Sequence, residues 1–331
     1  LIEKGITTRD ILTKKAFENA IAVAMAMGCS TNAIIHVIAQ AKRAGCDISL
    51  ADFDRFSRFV PVIANVRPSG DQYLMEDFFY AGGLPALMNR MKQHLHLDTL
   101  TVSGKTLGEN IEGAAVYNDD VIRPLDNPIY AEGALAVLKG NLAPDGCVIK
   151  PSACPEHLHQ HTGPALVFDD YPSMKAVIDS DDLDVTADHV LILRNAGPQG
   201  GPGMPEWGML PMPKKLLKQG VRDMVRISDG RMSGTAFGTI VLHVMPESAI
   251  GGPLAYVQTG DRIRLSVSRR EISLLVSDAE LARRQQAHPV AVPTAERGYR
   301  KLFLDTVTQA DKGVDFDFLA APHTVDRVPK A

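Results

Sequence analysis

The chain has 331 residues, of which 45% are hydrophobic and 22% are charged, and its net charge is −4. This composition is typical of a soluble globular protein, and the length is enough for two domains of ordinary size. The small negative charge gives no indication of binding to nucleic acid or to an anionic membrane. The apolar run "AIAVAMAMG" is far shorter than the roughly 20 residues of a membrane span, and we expect no secretory signal before it.

The chain has four cysteines, and no two of them form a C-x-x-C pair. The sequence therefore indicates neither a disulfide framework nor a zinc knuckle, and we expect a cytoplasmic protein. Cys147 and Cys154 are too far apart to hold a cluster without other ligands, so we interpret them as packed or shielded thiols.

The first part of the chain is predicted to be helical. From Ser30, "STNAIIHVIAQAKRAGCD" carries apolar residues at helical spacing, with Ser30 suited to the N-cap and Gly45 to the position just past the helix end. The segments "LADFDRFSRF" and "LMEDFFYAGGLPALMNRMKQHL" continue this pattern, with a break at Gly82 and Gly83. There is little strand signal before about residue 115.

The second part of the chain is rich in predicted strands. The runs "DGCVIKPSA", "PALVFDD", "DHVLILRNAG" and "DMVRISDG" are short and β-branched, and turn residues bound them. "DRIRLSVSRREISLLVSD" has the alternation of a hairpin, "YPSMKAVIDS" and "PMPKKLLKQG" predict short helices, and "AERGYRKLFLDTVTQA" predicts a final helix. Pro124 and Pro128 punctuate the change of composition, which predicts domains over 1–125 and 126–331.

The stretch "SDGRMSGTAFGT", from Ser228 to Thr239, places hydroxyls on a glycine-rich turn between two strand-like runs. It does not match the G-x-S-x-G elbow of hydrolases, because Arg231 precedes Ser233 by two residues. Ordinary turn chemistry explains such a pattern about as well as a functional site does. The residues alone therefore indicate an open polar pocket for a small oxygen-rich ligand near Ser233, Thr235 and Glu206, and we expect these three residues to line one cavity.

A second glycine-rich loop, "RNAGPQGGPGMPEWGM", follows the strand "HVLILR" and lacks the P-loop and dinucleotide signatures. A structural role is the simpler interpretation of its glycines. Its carboxylate, Glu206, nevertheless offers a hard oxygen where the backbone is able to approach a ligand closely, which suits Mg²⁺ or a polyol.

The histidines in "HLHQH" recur at period two. His157, His159 and His161 would share one face of a strand and there could bind a transition metal. No carboxylate or cysteine is spaced to complete such a site, so we expect these histidines to bind no metal.

Many linked motifs, among them "GCSTNAIIH", "PSGDQYLMEDFFYAGGLPAL", "TVSGKTLGENI", "RNAGPQGGPGMPE" and "SDGRMSGTAFGTIVLHVMPESAIGGPLAYVQTGDRI", resemble the IlvD/Edd dehydratase family over nearly the whole chain. The form of the last two motifs is most similar to the sugar-acid (aldonate) branch, in particular the enzymes for pentonates such as L-arabinonate. The resemblance implies an α/β fold in which the helical end of an α/β N-terminal domain precedes a β-barrel-like swivelling C-terminal domain with flanking helices.

The resemblance also implies chemistry and roles for residues. A family enzyme removes water from a 2,3-dihydroxy acid and forms a 2-keto-3-deoxy acid, with a [2Fe-2S] cluster and Mg²⁺ as cofactors. By matching motifs, Ser233 is the base that removes the C2 proton, Thr235 positions the substrate or the serine, and Glu206 is a ligand of Mg²⁺. The cluster cysteines, a carbamylated lysine and the other Mg²⁺ carboxylates of the family belong to an N-terminal segment that this chain lacks, and Cys29 is not interpreted as a cluster ligand.

Several expectations follow from this resemblance. The chain resembles roughly the C-terminal 60% of a dehydratase subunit, so by itself we expect it to be inactive and to leave apolar faces such as Ile34, Val37 and Ile38 exposed. We expect a small-molecule sugar acid as the partner, and a homodimer or homotetramer. The alternatives are a dihydroxy-acid dehydratase of branched-chain amino-acid synthesis and a catalytically silent interaction module, with a hydrolase built on Ser233 a weaker third.

Overall fold

The computed structural model describes residues 1–67, 69–70, 72–204, 206, 210–232 and 238–321. The chain divides into two compact units. The first comprises Leu1–Cys29, Ala33–Leu135 and the segment from Asp317 onward, and the second comprises Ser30–Asn32 and Ala136–Phe316. None of the helices that the structure describes combines the length and the apolar character that crossing a bilayer requires.

The first unit is built from helices. They are α1 Thr8–Ile11, α2 Lys14–Met27, α3 Asn32–Arg43, α4 Leu50–Ser57, α5 Met75–Tyr80, α6 Gly83–Arg90 and α7 Leu107–Ile111, where Asn32 itself belongs to the second unit. The helix expected from Ser30 is confirmed, and Gly45 has the positive φ of 72° that suits a residue after a helix end. The break predicted at Gly82 and Gly83 separates α5 from α6.

The apolar face of α3 is not exposed as expected. Ile34 and Ile38 are 1% and 0% exposed, and Val37 is half-buried. Phe53, Ile63 and Leu87 of the first unit are also fully buried. The expectation was wrong because other residues of this same chain cover the apolar stripe of α3.

In the second unit, strands of the described residues close into an eight-stranded barrel in the order β1-β2-β6-β5-β4-β3-β7-β8. The strands are β1 Ala136–Gly140, β2 Ala143–Ile149, β3 Gln160–Phe168, β4 Val190–Leu193, β5 Arg226–Ser228, β6 Ile240–Met245, β7 Arg262–Ser266 and β8 Glu271–Leu274. The neighbours from β3 through β6 are parallel, and β7 and β8 form the predicted antiparallel hairpin. The expected barrel-like domain is thus confirmed.

Helices flank the barrel. They are α8 Tyr171–Val177, α9 Lys214–Lys218, α10 Asp278–Ala287 and α11 Gly298–Thr306. Met174 of α8 and Leu216 of α9 pack with Leu191 and Leu193 of β4 in one apolar cluster, while Ile192 belongs to a second cluster formed by the strands. Apolar side chains therefore lie on both faces of β4, which explains why its sequence "VLIL" is continuously apolar.

Candidate functional site

The two motif-bearing loops begin at adjacent strand ends. β4 and β5 are parallel neighbours, and Leu193 lies opposite Ser228, the last residues of the two strands. We call residues 195–210 the β4 loop and residues 229–239 the β5 loop. Because carboxyl ends of parallel strands meet at one edge of a sheet, the loops with Glu206 and Ser233 leave the barrel side by side, as ligand sites of α/β proteins require.

A buried carboxylate ties the beginnings of the two loops together. Asp229, the first residue of the β5 loop, is 1% exposed and accepts hydrogen bonds from the backbone N–H of Ala196 (2.9 Å) and of Asn195 (3.3 Å) in the β4 loop. Ser248 donates to it as well, through its backbone N–H (2.8 Å) and its hydroxyl. Burial raises the pKa of Asp229, and these donors oppose the shift.

A second buried carboxylate, Glu247, shapes the middle of the β4 loop. It accepts from the backbone N–H groups of Gln199 and Gly200, both at 2.9 Å, and from Nε2 of Gln309 (2.7 Å). A Cβ at Gly197 would lie 2.6 Å from Oε2 of Glu247, so only glycine fits there without a shift. The glycines of this loop thus allow its backbone to wrap closely around a buried acid. Burial raises the pKa of Glu247.

Arg231 connects the β5 loop with the residue predicted to bind Mg²⁺. Its Nε donates to the carbonyl oxygen of Met204 (2.5 Å), and its Nη1 lies 3.8 Å from Oε1 of Glu206. Asn32 donates from its side-chain amide to the same carboxylate oxygen. The Glu206 side chain remains 37% exposed, so it is able to reach a ligand in solution.

The structure locates one of the three predicted site residues. Glu206 lies as just described, in contact with an arginine two positions before Ser233. Ser233 and Thr235 themselves lie outside the described residues, so their shared cavity with Glu206 stays a prediction. Sequence reasoning assigned no role to Arg231, Asn32, Asp229 or Glu247, although all four stand inside the quoted motifs.

The donor set around Glu206 fits one part of a Mg²⁺ site. Its carboxylate is the kind of hard oxygen ligand that Mg²⁺ prefers. Nearby Asn32 has a buried amide oxygen, Oδ1, with no hydrogen-bond partner among the described residues. Two oxygens do not complete an octahedral shell, and no group of three or more histidine, cysteine or acidic side chains suited to a metal ion occurs in the part of the chain that the structure describes. Glu206 thus fits as a single ligand within a larger set.

Neither Cys147 nor Cys154 fits a [2Fe-2S] cluster. Cys147 is fully buried with its Sγ directed to the carbonyl of Leu138, and Cys154 donates to the carbonyls of Lys150 and Gly238. Burial raises the pKa of both thiols, that of Cys154 to about 12, whereas cluster ligands are thiolates. The interpretation of these two residues as shielded thiols agrees with this geometry.

The three histidines do not share a strand. His157 lies in a 3₁₀ turn, His159 follows that turn, and only His161 belongs to β3. His159 and His161 instead face backbone carbonyls, those of Cys154 (3.2 Å) and Asp188 (3.0 Å). The one-face arrangement that a metal site would need is therefore absent among these residues, and the prediction that they bind no metal remains to be measured.

Comparison with known proteins identifies the class to which this fold and these loops belong. Residues 1–110 match the N-terminal model, and residues 120–314 the C-terminal model, of the dihydroxy-acid/6-phosphogluconate dehydratases. The chain belongs to this family, which confirms the resemblance drawn from its motifs.

Individual relatives refine the comparison. The chain is 56% identical to a putative dehydratase, IlvD1, of Rhizobium meliloti and 53% identical to the 6-deoxy-6-sulfo-D-gluconate dehydratase of Pseudomonas putida. It is 49% identical to the L-arabinonate dehydratase of Rhizobium leguminosarum bv. trifolii. Each match covers 96% of this chain and 55% of the relative, so the chain spans about half the length of these relatives.

Proposed function

We propose that this chain forms part of a hydro-lyase that removes water from a sugar acid and yields a 2-keto-3-deoxy acid. The observation that carries the proposal is the contact between Arg231 and Glu206, which joins the loop that bears the proposed base to the loop that bears the proposed metal ligand. The similarity to sugar-acid dehydratases gives this geometry its chemical interpretation.

The proposed reaction assigns a step to each loop. Ser233 removes the proton from C2 of the acid, the C3–O bond breaks as the 3-hydroxyl leaves as water, and the resulting enol tautomerises to the keto acid. A serine hydroxyl is a weak base, so it needs cationic and hydrogen-bonding neighbours that stabilise the alkoxide. Arg231 is a cation two residues from Ser233 in the chain, and in this proposal it would supply part of that environment.

The remaining roles follow from oxygen chemistry. Glu206 would hold Mg²⁺, which when bound would neutralise the charge of the substrate carboxylate and polarise the 2-hydroxyl. Thr235 would orient the substrate or the serine by hydrogen bonding. Departure of the 3-hydroxyl needs an acid that the shielded thiols of Cys147 and Cys154 do not help to provide, and the resemblance assigns that role to a [2Fe-2S] cluster held elsewhere in the family enzyme.

For the substrate we propose an aldonate, in particular a pentonate such as L-arabinonate. The motif "SDGRMSGTAFGT" with "GPGMPE" upstream favours this branch over a branched-chain dihydroxy acid. The relative that acts on 6-deoxy-6-sulfo-D-gluconate adds a six-carbon acid to the set to be tested. We further propose a cytoplasmic homo-oligomer with a domain division at residue 125.

The test is a keto-acid assay after anaerobic iron–sulfur reconstitution. The chain is assayed alone and with the N-terminal segment that the resemblance places before it, taken from the L-arabinonate dehydratase of Rhizobium leguminosarum. We expect turnover of aldonates only when both segments are present. The chain alone should be colourless and inactive.

Other outcomes of this assay discriminate among the alternatives. Turnover of 2,3-dihydroxyisovalerate in preference to every aldonate would favour the dihydroxy-acid dehydratase. A reconstituted cluster without turnover of any acid would contradict the proposed reaction and favour the silent interaction module.

A further inference from the structure

We propose that the buried ion pair of Asp223 and Arg226 is a positioning pair that fixes the far ends of both loops and thereby sets the spacing between Glu206 and Ser233. The catalytic consequence of this proposal rests on the proposed function, whereas the mechanical part rests on the contacts alone. Arg226 is the first residue of β5, the strand that leads into the β5 loop, and Asp223 precedes this strand by three residues.

The pair is built for a fixed geometry. Nη2 of Arg226 lies 3.0 Å from Oδ1 of Asp223, and the two side chains are only 9% and 2% exposed. A buried charge whose partner is removed is strongly destabilising, so each member of such a pair holds the other in place. Both side chains retain a further polar group, and each of these groups contacts a different loop.

Arg226 holds the end of the β4 loop. Its Nη1 donates to the carbonyl oxygen of Leu210 at 3.0 Å, four residues after Glu206. The guanidinium is planar and holds its N–H donors in a rigid arrangement. Its Nη2 therefore binds Asp223 while its Nη1 binds the backbone carbonyl of Leu210. This contact closes the loop that Asp229 fastens at its beginning.

Asp223 holds the end of the β5 loop. Its Oδ2 accepts from both the backbone N–H and the hydroxyl of Thr239, each at 2.7 Å. Gly238 lies against the same pair, because a Cβ at that position would stand 2.1 Å from Nη2 of Arg226 and its φ is +116°. The end of the β5 loop therefore rests directly on the ion pair.

Each loop is thus held at its beginning and at its end, and at each of these points the same buried side chains contact both loops. Asp229 joins their beginnings, and the Asp223–Arg226 pair joins their ends. Glu206 and Ser233 stand between these points in the chain. A misplacement of reacting groups by about 1 Å costs on the order of 10²-fold in rate, so a shared anchor of this kind controls catalysis without touching the substrate.

The first test measures the loops themselves in the 331-residue chain. Hydrogen exchange is followed by mass spectrometry on peptides that cover 195–210 and 229–239. Arg226→Lys keeps a charge for Asp223 but lacks the fork that reaches Leu210. We expect about tenfold faster exchange at the end of the β4 loop, the effect of one lost hydrogen bond.

A second variant tests the contact with the β5 loop. Asp223→Asn places an amide opposite the two donors of Thr239. Exchange should therefore rise by about tenfold at the end of the β5 loop, in addition to the end of the β4 loop. Gly238→Ala keeps both charges and displaces Arg226 by contact, and it should reproduce the β4 loop effect. Parent-level exchange in both loops for Arg226→Lys and Asp223→Asn would overturn the proposal.

A matched control is present in the same unit. Asp261 and Arg284 form another pair with side chains 10% and 8% exposed, and their contacts involve Glu280 and the carbonyl of Tyr256 rather than either loop. Asp261→Asn should lower stability to a similar extent and leave exchange in both loops unchanged. Equal loosening of the loops by Asp261→Asn would show a general loss of stability and would contradict a positioning role.

The second test is kinetic and uses the two-segment enzyme described above. Arg226→Lys should lower kcat by about 10- to 100-fold and change KM much less, because the acid still binds while the reacting groups are misplaced. A parent enzyme without activity would contradict the proposed function and leave the exchange result valid. Loosened loops with unchanged kcat would overturn the catalytic part of this proposal alone.

Discussion

The two units of this chain differ in the polar groups that they bury. Among the described residues of the first unit, the buried polar side chains are uncharged: Asn19, Ser57, Asn65, Ser69 and Thr99. The second unit buries charged groups, namely Lys150, Asp223, Arg226, Asp229, Glu247, Arg270 and Arg284. Burial of a charge is costly unless it is fully hydrogen-bonded, so this difference marks where the molecule requires fixed geometry.

Four of these buried charges contact the same two loops. Asp229 and Glu247 accept from the backbone of the β4 loop, and Asp223 and Arg226 hold the ends of both loops. The fully buried side chains of the first unit are apolar or neutral, and its ion pairs, such as Arg55–Glu18, are made by residues outside this buried set. The comparison teaches that four of the seven charges buried among the described residues of the second unit contact the loops that carry the proposed chemistry.

The largest expected effect falls within the β5 loop. In the two-segment enzyme, Ser233→Ala should lower dehydration by at least about 10²-fold, because a positioned proton-transfer group is lost. Substrate binding should be largely retained. Keto-acid formation is measured beside Ser268→Ala, which changes an exposed serine of the same unit. Activity of Ser233→Ala within a few-fold of the parent would remove this residue from the mechanism.

Glu206→Gln tests the other loop. The amide is a weaker ligand for a hard cation, so the Mg²⁺ concentration for half-maximal activity should rise by about 10- to 100-fold, the range known for perturbed metal sites. Titration of activity with MgCl₂ measures the shift. Glu247→Gln is not a suitable control, because it alters the same loop, and Glu296→Gln serves instead. An unchanged Mg²⁺ requirement would contradict the assignment of Glu206.

The comparison of the units predicts unequal stability losses. Asp229→Asn should lower the free energy of unfolding by about 3 kcal/mol, because a buried charged acceptor of several hydrogen bonds is lost. Asn19→Ala removes neutral bonds to His96 and Thr99 and should cost about 1 kcal/mol. Urea unfolding followed by circular dichroism measures both. Equal losses would break the distinction between the units.

The smallest expected effect concerns a surface carboxylate of the second unit. Hydrogen bonds from Arg283 and Arg284 lower the pKa of Glu280 from 4.5 to about 2. Its contribution to stability is therefore present above pH 4.5 and is lost as the pH falls toward 2. Tm, measured by thermal unfolding at several pH values, should depend less on pH in this window for Glu280→Gln than for the parent. Asp278→Asn, on the same helix, should reduce this dependence less. Identical slopes for Glu280→Gln and the parent would contradict this linkage.

Local patterns predicted much of the secondary structure. The helix α3, the break at Gly82 and Gly83, and the β7–β8 hairpin were all predicted, because spacing of apolar residues and turn residues act over a few neighbours. The helix α10 was not predicted. Its sequence "DAELARRQQA" has a weak apolar stripe, and its buried member is Arg284, held by Asp261 from elsewhere in the chain.

Part of the candidate site was also accessible from sequence. The motifs identified Glu206, and through the resemblance they proposed Ser233 and Thr235. The residues that hold the loops were missed. Asp223 and Glu247 are acids with no distinguishing spacing, and their importance appears only once the barrel brings them to the backbone of distant residues.

The sequence by itself determined the family, the helical character of the first part and the strands of the second, because these depend on composition and on local periodicity. Only the tertiary structure decided that β4 and β5 are parallel neighbours and that β1 closes the barrel against β8. It alone decided that Arg226 meets Leu210 and that Asp229 meets Ala196. The physical reason is that buried charges require partners, and the chain supplies those partners from segments that are adjacent only after the barrel has closed.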